Sequence, residues 1–183
     1  GKVNPSGSLV DTYCYDNLSS PAMHNYIALE YANFDGQVPD QASSYMVYQE
    51  GIYVGHKYYE TRYFDAVMGQ GNAGDYAAQY GKEVAFTFGY GLSYTTFAYG
   101  DFVVEKQGDT VTASLTVTNA GAYAGKEVVQ VYLQAPQGKL GKPERVLAAY
   151  GKTKPLAPGE SQKLTLRFAL SNHASFDDLN ETG

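Results

Sequence analysis

Thr110-Val-Thr-Ala-Ser-Leu-Thr-Val-Thr-Asn119 decides the fold, because Val111, Ala113, Leu115 and Val117 alternate with Thr112, Ser114, Thr116 and Thr118. A period of two puts the first set on one face of a sheet and the second on the other, the signature of a half-buried antiparallel strand. Downstream, Asn119-Ala-Gly-Ala-Tyr-Ala-Gly125 supplies turn glycines. Val129, Val131 and Leu133 then alternate with Val128, Gln130 and Tyr132 as a strand buried on both faces or nearly so. Residues 134–143 read as a loop, 144–154 as a weaker strand, and Pro158-Gly159 as a type II turn. Leu164, Leu166, Phe168 and Leu170 alternate with Lys163, Thr165 and Arg167. With Phe102 to Lys106 upstream, the second half of the chain carries five predicted strands.

Short strands separated by turns predict a β-sandwich of the immunoglobulin or fibronectin type III kind, which needs about seven strands. Five leave it incomplete, with unpaired edges able to recruit other chains. The sequence stops at Asn180-Glu-Thr-Gly183 with the sandwich unfinished, and it opens on Gly1 with no charged-then-apolar leader pattern. Both ends are read as those of a piece cut from a longer chain, so no localisation is assigned. The sequons Asn17-Leu-Ser19 and Asn180-Glu-Thr182 bear on the argument only in a secretory eukaryotic host.

The first hundred residues have a different character: they hold 15 of the 18 tyrosines and 5 of the 8 phenylalanines. Within them, residues 45–63 contain Ile52, Val54 and Tyr58-Tyr59 and favour strand. Residues 65–82 carry Gly69, Gly71, Gly74 and Gly81 and read as irregular loop, with no clean amphipathic helix. A long aperiodic segment of this kind is expected to run across another domain, its tyrosines packing on a surface outside this chain.

With 183 residues the chain is too short for a (β/α)8 barrel, which takes about 250. A net charge of −6, a pI near 5.0 and no run of Lys or Arg argue against a nucleic-acid or anionic-membrane partner. No stretch approaches the ~20 continuous apolar residues of a membrane-spanning helix. Cys14 is the single cysteine, and His24, His56 and His173 lack a second ligand at metal-like spacing, so neither an internal disulfide nor a metal site is expected. Gly91-Leu-Ser-Tyr-Thr95 approaches a nucleophile elbow, but Thr95 replaces the second glycine and no helix pattern follows. Gly89-Tyr-Gly91 reads as tight-turn glycine.

Carboxylates are the more informative candidates, because glycoside hydrolysis uses two of them, one as acid and one ionised. Glu50, Glu60 and Asp65 lie in the tyrosine-rich segment; Glu50 is the foremost, and a solvated or hydrogen-bonded loop acid is the plainer reading of each. Tyr48, Tyr53, Tyr58 and Tyr59 are candidate substrate contacts, since a tyrosine ring offers an apolar face and a polar tip. Packing against a neighbouring domain explains the same residues equally well.

Three motifs, at these distances and in this order, carry a resemblance. They are Asn4-Pro-Ser-Gly-Ser-Leu9, Tyr48-Gln-Glu-Gly-Ile-Tyr-Val-Gly-His-Lys-Tyr-Tyr59 and Phe86-Thr-Phe-Gly-Tyr-Gly-Leu-Ser-Tyr-Thr-Thr-Phe97. Together they resemble the C-terminal part of glycoside hydrolase family 3. Val117-Thr-Asn119, Ala124-Gly-Lys-Glu-Val-Val-Gln-Val-Tyr132 and Leu156-Ala-Pro-Gly-Glu160 resemble its fibronectin type III-like domain. His56-Lys57 stands where the family commonly has Tyr-Arg, and Thr87 where it commonly has Pro.

The resemblance implies a parent β-glucosidase or related exo-glycosidase with a retaining mechanism, its nucleophile aspartate on a barrel and its acid/base glutamate on an α/β sandwich domain. Neither motif is in this sequence, and Glu50 belongs to a different family motif. The expectation is a mainly β chain: residues 1–90 as the irregular tail of the α/β sandwich domain, with a tyrosine-rich loop, and residues 91–183 as a truncated fibronectin type III-like domain. Its role would be to brace the catalytic domains without cofactor, meeting β-glucosides through the parent. The rival reading is a free-standing carbohydrate-binding module that uses the tyrosines.

Overall fold

The computed structural model describes residues 2–24, 26–31, 43–177 and 180; the expected end of the sandwich at 181–183 lies outside these. The chain forms two compact units, residues 12–86 and residues 1–11 with 87–183. This differs from the expected division at 90/91. The first eleven residues join the β-rich unit because their backbone and Asn4 hydrogen-bond to residues 89–94 and 124.

In the unit of residues 12–86, β1 (Tyr13–Cys14) pairs antiparallel with β4 (Val84–Phe86), and β2 (Leu29–Glu30) with β3 (Ser44–Tyr45). Between them lie a short helix α1 (Pro21–His24) and the two longer helices α2 (His56–Met68) and α3 (Tyr76–Glu83). These helices correct the reading of 45–63 as strand and 65–82 as loop. The β-propensity of tyrosine is a weak preference that packing overrides. α2 begins after Gly55 at φ 58° and ends at Gly69 in the left-handed region at φ 66°. There Gln70 N–H donates to Asp65 O at 2.8 Å and Gly69 N–H to Ala66 O at 3.4 Å, a Schellman-type stop.

The apolar face of this helix pair is built largely from tyrosine. Tyr59, Ala73, Tyr76 and Val84 form the buried cluster, ringed by Cys14, Tyr58, Ala66 and Tyr80. Tyr76 and Tyr80 sit four residues apart, so they share one face of α3 and meet edge to face at 6.3 Å.

The β-rich unit holds all five expected strands: β5 (Phe97–Gln107), β6 (Thr110–Asn119), β7 (Val128–Leu133), β8 (Val146–Lys152) and β9 (Ser161–Ala169). One sheet has the order β5-β6-β9 and the other β7-β8, every pair antiparallel. The alternation in β6 is realised: Val111, Ala113, Leu115 and Val117 are buried, and their polar neighbours are not. Leu115 and Val117 pack with Val129 of β7 and with Leu156, and Phe97, Leu164 and Leu166 close the cluster. Burial of each such aliphatic side chain contributes about 1.5–3 kcal/mol.

Gly108 at φ 58° turns β5 into β6, and Gly159 at φ 78° completes the Pro158-Gly159 turn, where Glu160 N–H donates to Ala157 O at 2.9 Å. β5 carries a bulge between Gly100 and Val103, with Asp101 at φ 52°. Both sheets are open-edged among the described residues, and the architecture is the mainly β, incomplete sandwich expected.

Candidate functional site

Two constellations contain the residues singled out above, one in each unit. In the β-rich unit, Asn4 gathers the motifs. Its Nδ2 donates to Ala124 O at 2.9 Å, and its Oδ1 accepts from Ser93 Oγ at 3.1 Å and Tyr94 N–H at 2.9 Å. Leu9 N–H donates to Tyr90 O at 2.8 Å and Gly89 N–H to Leu9 O at 2.9 Å, so the first motif lies along the third as a two-stranded clip. A Cβ on Gly91 would stand 2.6 Å from Gly7 O, so that close approach requires glycine. Gly89 lies at φ 79°, and a Cβ there would stand 2.5 Å from Gln130 Oε1.

The same geometry assigns Ser93 a structural part. Its hydroxyl donates to Asn4 and accepts from Thr95 N–H at 3.3 Å. Thr95 Oγ1 in turn donates to Asn119 Oδ1 at 2.7 Å. Asn119 is completely buried, and each of its polar groups is used. Its Nδ2 donates to Tyr123 O and Leu156 O, both at 2.8 Å, and its Oδ1 also accepts from Gly121 N–H at 3.1 Å. Its backbone N–H donates to Glu160 O and its carbonyl accepts from Gly159 N–H. Asn119 therefore joins three loops, and the motif residues around it hold backbone in place.

In the unit of residues 12–86, the tyrosine-rich segment is a turn leading into α2. Tyr53 N–H donates to Glu50 O at 2.8 Å, with Gly51 at φ 51° between them. Glu50 is half-buried, and its Oε2 is shielded from water without a hydrogen-bond partner. Tyr48 is 75% exposed, whereas Tyr53 and Tyr58 are half-buried. Tyr59 is 3% exposed and shares a hydrogen bond with Ser19 Oγ at 3.1 Å, so its ring presents no free face to a sugar in this structure.

Around these lies a polar network. Arg62 Nη1 donates to Tyr58 Oη at 2.6 Å, and its guanidinium sits 4.2 Å from the centre of the Tyr76 ring. Tyr76 Oη donates to Glu83 Oε2 at 2.9 Å, and Tyr80 Oη to Glu60 Oε1 at 2.7 Å. Burial first, and then the carboxylate that each hydroxyl serves, raises the phenol pKa of Tyr76 and Tyr80. Burial likewise pushes Tyr59 up to about 12. These phenols are neutral donors at physiological pH. Glu60 is occupied as an acceptor, and Asp65 lies in contact range of Gly71 at the end of α2.

Sequence reasoning did not identify Asn119, Thr95 or Asn4 as a connected group, nor the Arg62, Tyr76 and Glu83 network. The signals available were the Asn residues at the ends of the first motif and of β6, and the four-residue spacings Tyr58 to Arg62 and Tyr76 to Tyr80. His24, His56 and His173 sit in α1, at the start of α2 and in the short 3-10 turn after β9. Among the described residues no group of three or more His, Cys, Asp or Glu is placed to hold a metal ion. No helix among them is long and apolar enough to cross a membrane.

An open-edged sandwich of order β5-β6-β9 over β7-β8, with an Asn-centred polar hub, defines a fibronectin type III-like module joined to a smaller helical unit. Residues 127–182 match the fibronectin type III-like domain family. The chain is 40% identical over 196 residues to β-glucosidase A of Butyrivibrio fibrisolvens, covering 99% of this chain and 20% of that protein. It superposes on β-glucosidase 3B of Thermotoga neapolitana, solved with glycerol, with a TM-score of 0.73 at 39% identity, over 97% of this chain and 21% of the other. The glycoside hydrolase family 3 β-glucosidase of Bifidobacterium adolescentis gives a TM-score of 0.73 at 28% identity, over 100% of this chain and 22% of the other. The chain thus spans about a fifth of the length of the relatives it matches. Over nearly its whole length the chain is therefore similar to a C-terminal portion of glycoside hydrolase family 3 enzymes that carries a fibronectin type III-like domain.

Proposed function

We propose that residues 1–183 are the non-catalytic, bracing region of a β-glucosidase that removes terminal β-glucosyl residues by a retaining mechanism. The observation that carries this is the use of the family motifs. Asn4, Ser93, Thr95 and Asn119 spend their hydrogen bonds on holding loops of this chain together, with no hydroxyl left activated as a nucleophile. A retaining glycosidase needs two carboxyl groups about 5–5.5 Å apart around a sugar pocket. Glu50 would supply at most one, and Glu60 already serves Tyr80. The catalytic pair belongs to the remainder of the enzyme, as the family resemblance implies.

Large exposed apolar side chains support the bracing role. Tyr15, Tyr26, Tyr48, Ile52 and Val54 are each more than half exposed in a unit of modest core. Such surface marks interfaces. The partner is the rest of the parent glycosidase, and β-glucosides reach this region only through it. Calorimetric titration of the chain with cellobiose and with glucose tests this reading: no saturable heat is expected. Saturable binding that disappears in Tyr48→Ala would establish a carbohydrate-binding module instead.

A further inference from the structure

The half-buried glutamates of the unit of residues 12–86 are Glu50, Glu60 and Glu83, and two of them are served by tyrosine. Tyr76 Oη donates to Glu83 Oε2 and Tyr80 Oη to Glu60 Oε1. Glu50 has no such donor. Its Oε2 is shut off from water without a hydrogen-bond partner, and no donor among the described residues reaches Oε1, which stays open to solvent. The ion pairs among the described residues join Arg145 to Glu144 and Lys154 to Glu160, and neither includes Glu50. Half of this carboxylate is therefore dry and all of it is unpaired, although charges taken out of water are ordinarily paired or hydrogen-bonded. The backbone holds it there: Tyr53 N–H donates to Glu50 O at 2.8 Å across a turn with Gly51 at φ 51°.

The segment that carries Glu50 is also rich in apolar side chains open to solvent. Met46, Tyr48, Ile52 and Val54, on either side of it in the chain, are 46–75% exposed. Exposed apolar surface of this density marks an interface. Covering it strips Oε1 of its water as well, and a carboxylate dry on both oxygens is tolerated only if the covering surface brings a donor. A cationic donor answers best, because charge-assisted hydrogen bonds are roughly twice as strong as neutral ones. Among cations the guanidinium is the more weakly hydrated and presents a planar fork that matches a carboxylate. Arginine is accordingly enriched in interfaces, where an apolar surround excludes water from the pair.

We propose that Glu50 is the electrostatic anchor of the bracing interface, accepting through Oε1 an arginine guanidinium carried by the remainder of the same glycosidase polypeptide. Tyr48, Ile52 and Val54 pack beside the pair and keep water from it. A second copy of this chain is the poorer occupant, since it brings a further net charge of −6 towards a carboxylate. A sugar hydroxyl is poorer too, being a neutral donor. The proposal rests on the reading of the chain as one region of a larger β-glucosidase, and its test separates the two.

The test is the melting temperature of Glu50→Gln in the chain 1–183 and in the full-length glycosidase, with turnover of an aryl β-glucoside measured beside it. Glutamine keeps the shape and removes the charge. In 1–183, where the carboxylate has no partner, the melting temperature is expected to stay the same or rise. In the full-length enzyme it is expected to fall by several degrees, because the variant leaves the guanidinium buried and unpaired. Glu50→Asp keeps the charge and is expected to melt above Glu50→Gln there. Mapped phenylglyoxal adducts are expected to show an arginine outside residues 1–183 that is protected in the unmodified enzyme and reacts in Glu50→Gln. An equal fall in both proteins overturns the proposal, since the side chain then serves its own fold, as does an unchanged set of reactive arginines. A dimer of 1–183 that dissociates in Glu50→Gln overturns it as well and assigns the carboxylate to a second copy. Loss of several orders of magnitude in kcat at an unchanged melting temperature overturns it by making Glu50 catalytic. The expected pattern in a full-length protein that fails to hydrolyse the glucoside upholds the anchor and removes the functional reading alone.

Discussion

Asn119 concentrates more structural consequence than any other polar residue of the sandwich, because its burial is complete and both side-chain ends bond backbone or buried partners. Asn119→Ala removes the hydrogen-bond partner of the Tyr123 carbonyl, the Gly121 N–H and the Thr95 hydroxyl, and one of the two donors to Leu156 O, which keeps Gly125 N–H. Unsatisfied buried groups cost about 1–3 kcal/mol each, so a loss of about 3–5 kcal/mol is expected from urea unfolding of the chain. The neighbouring Thr118→Ala removes an exposed hydroxyl pair with Ser161 and is expected to change stability by less than about 1 kcal/mol. The buried phenols make a second prediction. Tyr59 is raised to about 12, and Tyr76 and Tyr80 are raised too, above the ordinary 10.0, chiefly by burial. Above that ordinary value the unfolded chain has released protons that the folded one retains. Their stabilising contribution is therefore complete below pH ~10 and falls as pH climbs towards 12 and beyond. Phenolate absorbance followed with pH should show these hydroxyls ionising late and together with loss of helical circular dichroism. Independent ionisation near 10 with the helices intact would contradict the assignment.

At the scale of elements, two glycines of the helical unit carry opposite expectations. Gly69 stops α2 at φ 66°, a conformation costly to any Cβ, so Gly69→Ala is expected to destabilise by about 1 kcal/mol. Gly81 lies inside α3 with no atom within 4 Å of an added Cβ, and Gly81→Ala is expected to stabilise by about 0.5–1 kcal/mol. Thermal unfolding of both variants checks the pair. The same two residues show what the sequence disclosed and what it concealed. Gly69, Gly71 and Gly74 are loop or cap glycines at positive φ, as their density suggested, but Gly81 is helical and its reading as loop hid α3. Both helices bury tyrosines whose hydroxyls still reach Ser19, Glu83 and Glu60, so the buried stripe is only weakly apolar in composition. β6 was legible for the opposite reason: Val and Thr alternate at period two, with one face in the core. Of the carboxylates in the tyrosine-rich segment, Glu60 and Asp65 lie in α2, with Glu60 accepting from Tyr80, and Glu50 lies in the turn before it, whereas Tyr59 could not be separated from Tyr58 by pattern. Adjacent residues on a helix point in different directions, and only the helix itself reveals which one faces inward.

At the scale of the whole molecule, the two units answer the question of activity in the same way. The β-rich unit spends its motif residues on internal hydrogen bonds, and the helical unit presents tyrosines and aliphatic side chains outward. The relatives are roughly five times longer, which leaves ample chain for the barrel and for both carboxylates of the catalytic pair in the proposed reading. The most direct measurement is turnover of an aryl β-glucoside by purified 1–183 beside its Glu50→Gln variant. Loss of either member of a catalytic pair removes several orders of magnitude in rate, and here the account places both outside the chain. It predicts no hydrolysis above the uncatalysed rate for either protein; turnover by 1–183 that vanishes in Glu50→Gln would contradict it and make Glu50 a catalytic residue.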